Sequence, residues 1–400
     1  MPKAVSRSSS RSTSSTVSPR CDRTASLDSD LTPPEESAST SASLERPAVP
    51  PLACMRFSPR PCVNQALVDA LRPLRDYRFA EFGAGSPEAI SYSTALSALI
   101  ATPYKIQSGA EARRIHKIGE KLERKIDEFI LTGKIQGALD LETNERFLAL
   151  RSLMTVHGVG HHRAKELYTE GCRSAEDLRR TGNWEKEFRY HDDIQLKIPR
   201  SEVESIQEFV RIQLDRILPG AHTVLCGGYR RGKLESNDVD ILITWPFQDG
   251  KERGILRKLV HRLEAKGLIP PDGVLSFSQP ATLRSTRANK RASSFDSLDK
   301  ALVIFKHPAN DTTRPRDIYR RVDLIVAAWE NFGAAVVGWS GGTQFERDLR
   351  IHAERMGYKF DSGALRSRTT GEVIPTMTEK DVFRALNLKW IPPEMRNSDP

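Results

Sequence analysis

Residues 226–243 read Cys-Gly-Gly-Tyr-Arg-Arg-Gly-Lys-Leu-Glu-Ser-Asn-Asp-Val-Asp-Ile-Leu-Ile, and no other stretch restricts the fold so closely. Residues two apart on a strand point to the same side, so Asp238 and Asp240 present both carboxylates to one face while Val239 and Ile241 enter the core. Adjacent carboxylates repel, and their usual reason for coexisting is a hard divalent cation. Gly227 and Gly228 bring backbone donors close to a ligand, and Arg231 with Lys233 can neutralise a triphosphate. An isolated Asp-x-Asp is ordinarily a solvated face; behind a glycine pair and two arginines it points to nucleotide handling. Two-metal phosphoryl chemistry needs a third carboxylate. Asp323, a single acid in the apolar run Val322-Asp323-Leu324-Ile325-Val326, is the candidate.

The rest of the chain must place that strand. Residues 1–62 are dominated by Ser, Thr, Pro and Arg and bury too little apolar area to offset their ordering entropy, so this segment is expected to be disordered. From residue 63 helical periodicity sets in. Ala66, Leu67, Ala70, Leu71 and Leu74 share one helix face, and further helices are expected at 89–101, 119–132, 145–153, 161–169 and 201–218. Strand signals begin near residue 222, with short β-branched runs at 223–226, 239–244, 302–305 and 322–327. No run approaches the length of a membrane-spanning helix, and the N-terminus has no secretion-signal core, so a membrane role is excluded. Five dispersed cysteines without a C-x-x-C pair read as reduced thiols of a cytosolic or nuclear protein.

Two segments in the helical half look alike. Ile115-His116-Lys117-Ile118-Gly119 and Val156-His157-Gly158-Val159-Gly160 are apolar-flanked turns ending in Gly and followed by a basic helix. Such a turn can grip a nucleic-acid backbone without reading bases. One alone is an ordinary helix connection; two, trailed by Lys121, Arg124 and Lys125 and by His161, His162, Arg163 and Lys165, favour DNA and resemble helix-hairpin-helix motifs. The formal charge of +9, from 61 Lys+Arg and 52 Asp+Glu, agrees with a polyanionic partner.

From residue 63 to 397 the chain resembles the family X DNA polymerases. Residues 108–129 are similar to the lyase domain of DNA polymerase beta, 227–244 to the palm motif, and 338–350 and 390–397 to DNA polymerase mu and terminal transferase. The resemblance implies an α+β protein: a helical lyase-like domain at 63–139, a second hairpin subdomain at 140–199, a nucleotidyltransferase palm with a mixed sheet at 200–330 and an α/β nucleotide-selection subdomain at 331–400. It further implies two Mg²⁺ or Mn²⁺ on Asp238, Asp240 and Asp323, triphosphate contacts from Gly227, Gly228, Arg231 and Lys197, a sugar pocket at Trp339 and Gly341, and Arg347 and Arg350 near the templating base. Backbone carbonyls of Ile115 and Ile118, and of Met154, Val156 and Val159, would each hold Na⁺ or K⁺ beside a DNA phosphate. Lys125 matches the Schiff-base lysine of a deoxyribose-phosphate lyase; as one cation on a basic helix it equally suits a phosphate contact.

The expected substrates are gapped or broken duplex DNA with a 5′-phosphate and dNTPs, with rNTPs admitted because Gly338-Trp339 stands where beta-like members carry a bulkier Tyr-Phe pair. A monomeric nuclear enzyme of end joining, extending to base excision repair, is expected, although the basic tail suits a mitochondrial address too. Residues 1–62 are too polar for the BRCT domain through which related polymerases meet end-joining factors. The insertion 278–300 is either a template-substituting loop or a plain surface loop. A template-independent transferase and a non-catalytic DNA-end scaffold are the rival functions.

Overall fold

The structure, a computed structural model, describes residues 46–247, 249–278, 298–309 and 316–400. The tail before residue 46 and most of the 278–300 insertion, with the expectations attached to them, lie outside the described residues. Among the described residues no helix is long and apolar enough to cross a membrane.

The helical half forms around one continuous core running from Cys62 to Phe188. Its principal helices, Gln65–Phe82, Pro87–Ile100, Glu120–Thr132, Glu145–Leu153 and His161–Thr169, fall where the periodicity places them. Side-chain caps fix the starts of two of them: Ser86 accepts from the Ala89 amide and Asn144 from the Phe147 amide. The two hairpin turns share one backbone. The Ile118 amide donates to the Ile115 carbonyl and the Val159 amide to the Val156 carbonyl, while Gly119 and Gly160 begin the following helices in extended conformation. At the matching turn position Gly158 has φ 83° and Lys117 has φ 70°. Left-handed backbone costs glycine nothing and a lysine about 1–2 kcal/mol.

The sheet-containing half has ten strands among the described residues: β1 (Ile198–Pro199), β2 (His222–Leu225), β3 (Glu235–Ser236), β4 (Val239–Thr244), β5 (Val274–Ser278), β6 (Asp299–His307), β7 (Ile318–Val326), β8 (Tyr358–Asp361), β9 (Ala364–Ser367) and β10 (Val373–Ile374). The main sheet runs β2-β4-β7-β6-β5, with β4 and β7 parallel and the other pairs antiparallel. This is the mixed sheet expected. A parallel pair needs a crossover, here carried by the Ile255–Ala265 helix with β5 and β6. That helix and Arg200–Asp215 cover one face through Val239, Ile241, Ile243, Val322, Leu324 and Val326. The opposite face packs Leu242 and Ile325 against the Phe332–Ser340 helix. β6 and β7 extend beyond the apolar runs that announce them, because ladder pairing accommodates their charged ends. A third core joins the Thr343–Arg355 helix, the β10-β9-β8 sheet and the Glu379–Ala385 helix.

One expectation is corrected: residues 46–62 are not disordered. Leu52, Ala53 and Cys54 insert into the C-terminal core, and the Ala53 amide donates to Asp348 Oδ2 at 2.7 Å. Arg56 is buried, giving its guanidinium to the Pro50 carbonyl and to Ser97 Oγ of the helical domain. Ser58 pairs with the far end of the chain, its amide donating to the Met395 carbonyl and its carbonyl accepting from the Asn397 amide. Three apolar residues and one buried arginine hold this strap, a signal too brief to show through the polar composition around it.

A buried charge cluster joins the two halves. Arg320, on the helix-covered face of β7, makes a two-pronged contact with Glu202 and donates to the carbonyls of Asp193 and Leu196. Burial works to raise the Glu202 carboxyl, but His307 and Arg320 hold it down to about 2 from its ordinary 4.5. The folded state therefore binds this proton less readily than the unfolded chain. The stabilisation is complete above pH 4.5 and is lost as pH falls toward 2. Glu202→Gln should cost about 3 kcal/mol at neutral pH by stranding a buried guanidinium; urea unfolding of wild type and variant between pH 7 and pH 2 should show the difference shrinking toward acid.

Candidate active site

The register of the parallel pair sets the site. Asp240 on β4 stands directly opposite Asp323 on β7, on the face shared by Leu242 and Ile325. Val239 and Ile241 are buried on the other face, as the alternation requires. Asp238 lies one step before β4 and pairs with Arg321, which shares Asp323's side of β7. Burial, reinforced by the Asp323 charge, lifts the Asp240 carboxyl to about 7, against the pull of Arg231. Burial also raises Asp323, which Arg321 and Lys300 oppose, and its Oδ1 is buried without a hydrogen-bond partner.

The turn after β2 is shaped around these carboxylates. Gly227 opens the short Gly227–Arg230 helix with φ 56°, and a β-carbon there would run into the Asp240 carboxylate. Arg231 donates through Nη1 to the carbonyls of Ser340 at 3.0 Å and Gly341 at 3.1 Å, tying this turn to the end of the Phe332–Ser340 helix. A cleft of ≈ 320 Å³ results, bordered by Gly227, Gly228, Arg231, Asp238 and Asp240 on one side and by Trp339, Gly341 and Glu346 on the other. It adjoins a basic cavity of ≈ 800 Å³ that shares Gly228, Arg231 and Asp238 and adds Lys197 and Lys233. Lys197 is hydrogen-bonded to Asn237.

Most of the residues expected at the nucleotide site thus converge: Asp238, Asp240 and Asp323, Gly227, Gly228, Arg231 and Lys197, Trp339 and Gly341. Arg347 and Arg350 do not line this cleft. Arg347 donates to Gln344, while Arg350 pairs with Glu346 and borders a separate groove beside β8 and β9. Sequence reading passed over Glu346, whose carboxyl is pushed up to about 8 by burial while Arg350 opposes the rise. Its spacing of four from Arg350 on one helix is the only signal it left. Asp399, also unforeseen, caps that helix by accepting from the Thr343 and Gln344 amides.

In the helical half, the second hairpin faces the palm: Met154, Val156 and Val159 line a cavity with Arg321, the partner of Asp238. The Val156 and Ile115 carbonyls each accept a turn amide, whereas no backbone donor is described for Ile118, Met154 or Val159. Lys125 is half-buried, unlike exposed Lys121 and Arg124, and its Nζ lies beside Gly137.

The carboxylate set suits a hard cation. Three carboxylates offer only oxygen donors, and the unpartnered Asp323 Oδ1 and the crowded, desolvated Asp240 gain most from a divalent charge. Among the described residues no three such side chains already form a closed cluster, and Asp238 is held by Arg321. Paired strand carboxylates, a glycine turn and converging cations define a palm of the nucleotidyltransferase type. Four family models match in chain order: a helix-hairpin-helix domain at 62–135, the fingers domain of DNA polymerase lambda at 151–195, the DNA polymerase beta palm at 197–328 and the DNA polymerase beta thumb at 335–397. The chain is 30% identical to human DNA-directed DNA/RNA polymerase mu over 364 residues, 88% of this chain and 72% of the relative. It is 27% identical to DNA nucleotidylexotransferase of Xenopus laevis over 86% of this chain and 71% of that one, and 29% identical to DNA polymerase lambda of Arabidopsis thaliana over 77% and 58%. The chain belongs to family X of the DNA polymerases. Gly227→Ala should leave the protein folded but lower nucleotide incorporation at least ~100-fold, because it displaces the Asp240 carboxylate; circular dichroism and primer extension together check this.

Proposed function

We propose that the protein is a template-directed DNA polymerase that fills short gaps during double-strand-break end joining in the nucleus, with weak discrimination against ribose. The observation that carries this reading is the facing pair Asp240 and Asp323, set beside a basic cavity with ample room for a triphosphate and a cleft edge built from Gly338 and Trp339. Gly228, Arg231 and Lys197 would hold the triphosphate, and the Arg231 contacts to Ser340 and Gly341 would keep phosphates and sugar in one register. Asp238, Asp240 and Asp323 would bind Mg²⁺ or Mn²⁺. Such ions supply neutralisation of the triphosphate charge and a more acidic primer hydroxyl. The contribution of the chain itself is positioning: Gly227 lets the turn approach, and the strand register keeps both carboxylates at the reacting end.

Two observations bear on the nucleotide sugar. Gly338 leaves no side chain, and a β-carbon there would meet Ser362 Cα at 2.9 Å, so a bulky residue cannot replace it without moving that loop. Trp339 lines the cleft edge, and one of the relatives is named for both DNA and RNA synthesis. In the helical domain the half-buried Lys125 would act as a 5′-deoxyribose-phosphate lyase through attack by its neutral amine.

Primer extension on a one-nucleotide gap, with dNTPs and rNTPs in parallel, tests the central reading. Templated incorporation is expected, with dATP favoured over ATP by no more than about tenfold; untemplated addition to a single strand in its place would establish the transferase reading instead. Asp240→Asn should reduce synthesis to background while gel-shift binding to gapped DNA persists, which no pure scaffold would show. Lys125→Ala should abolish borohydride trapping of a 5′-abasic substrate while leaving gap filling intact.

A further inference from the structure

The basic cavity beside the cleft has a wall that does not belong to the palm. Arg60, at the end of the strap, lines it together with Gly228, Arg231 and Lys233. Arg72, from the first helix, lines it too, but its guanidinium is already paired with Asp69. Among the described residues Arg60, Arg231 and Lys233 have no ion pair, and Arg231 spends its hydrogen bonds on two carbonyls. Three cations without an ion pair of their own crowd one cavity and repel, while Asp399 and Asp240 offset part of their charge. Burial, then Arg231, then Arg60 bring the Lys233 ammonium down to about 8. An arrangement of this kind is costly unless a multivalent anion enters it.

The strap is also wired to the triphosphate turn. Ser58, two residues before Arg60, exchanges backbone hydrogen bonds with Met395 and Asn397, and Asn397 Nδ2 donates to the Arg231 carbonyl at 3.1 Å. The strap that carries Arg60 and the turn that carries Arg231 are therefore held against the same stretch, residues 395–397, although they are about 170 residues apart in sequence.

We propose that Arg60 is a nucleotide-binding residue supplied in cis by the N-terminal strap, contacting the terminal phosphates of the incoming triphosphate or of released pyrophosphate. The inference rests on the polymerase reading for its substrate, but the anion site itself stands on the cavity and its charges. The triphosphate pocket is then complete only when the strap is docked on the C-terminal subdomain.

The test combines steady-state kinetics on gapped DNA with calorimetric binding of inorganic tripolyphosphate to the full chain without DNA. Arg60→Ala should raise KM for dNTP about tenfold with kcat within twofold, and weaken tripolyphosphate binding by a similar factor. Arg60→Lys should recover most of both, and Arg60→Glu should lose more than the alanine variant. Since Arg60 is exposed, none of these changes threatens folding. Unchanged KM and unchanged tripolyphosphate affinity in Arg60→Ala would overturn the proposal. Wild-type protein that binds tripolyphosphate through Arg60 yet incorporates no nucleotide would instead sink the polymerase reading and leave the anion site standing.

Discussion

The structure turns on the parallel pairing of two strands within a sheet that is otherwise antiparallel. With Asp240 opposite Asp323, the pairing brings two acids together with no side chain between them. Everything around them manages that repulsion. The glycine turn is left-handed and without a β-carbon so that it can fit over Asp240, Arg321 occupies Asp238, and Arg231 offsets the negative charge of Asp240 while anchored to the Phe332–Ser340 helix. A slip of one residue between β4 and β7 would place one carboxylate in the apolar core of the opposite face, so the register is enforced by burial on both sides.

Because strand alternation is a local rule, much of this was legible from sequence. Asp238 and Asp240 were assignable to one face as soon as Val239 and Ile241 were assigned to the core, and Asp323 followed from being the only acid in an apolar run. The twin hairpins were legible too, since their turns repeat residue type as well as spacing, and even the exception, Lys117 at the place of Gly158, keeps the backbone conformation. Local rules do not report contacts between distant segments. Glu346 is one acid of an amphipathic helix until the fold turns it toward Asp240. Arg347 and Arg350, expected near the templating base, are not separated by spacing alone, and the rotation of their helix sends Arg350 to the groove beside β8 and β9. The strap was hidden because Leu52-Ala53-Cys54 is too short to register against its polar neighbours, although in the folded chain it fills a defined gap.

The strap changes how the helical and catalytic halves are related. Without it, contact between the first helices and the C-terminal subdomain would rest on side chains alone. With it, Arg56 spans from the strap to Ser97 in the helical core, while Ala53 and Asp348 secure the other side. The helical domain is thereby coupled to the C-terminal subdomain through one side-chain hydrogen bond on its own side and an amide-to-carboxylate bond on the other.

The C-terminal end of the fold carries an unusual share of this wiring. Arg396 is fully buried and holds Glu379, which also pairs with Arg230 of the glycine turn; Asn397 holds the Arg231 carbonyl and the strap; Asp399 caps the helix that bears Glu346. A proteolytic cut after Met395 would remove no residue of any described strand or helix. It would nevertheless release the strap, loosen the phosphate turn and uncap the cleft wall in one event. Intact secondary structure would thus be a poor gauge of an intact cleft, and a bulky fusion at that end would press on the wall of the cleft itself.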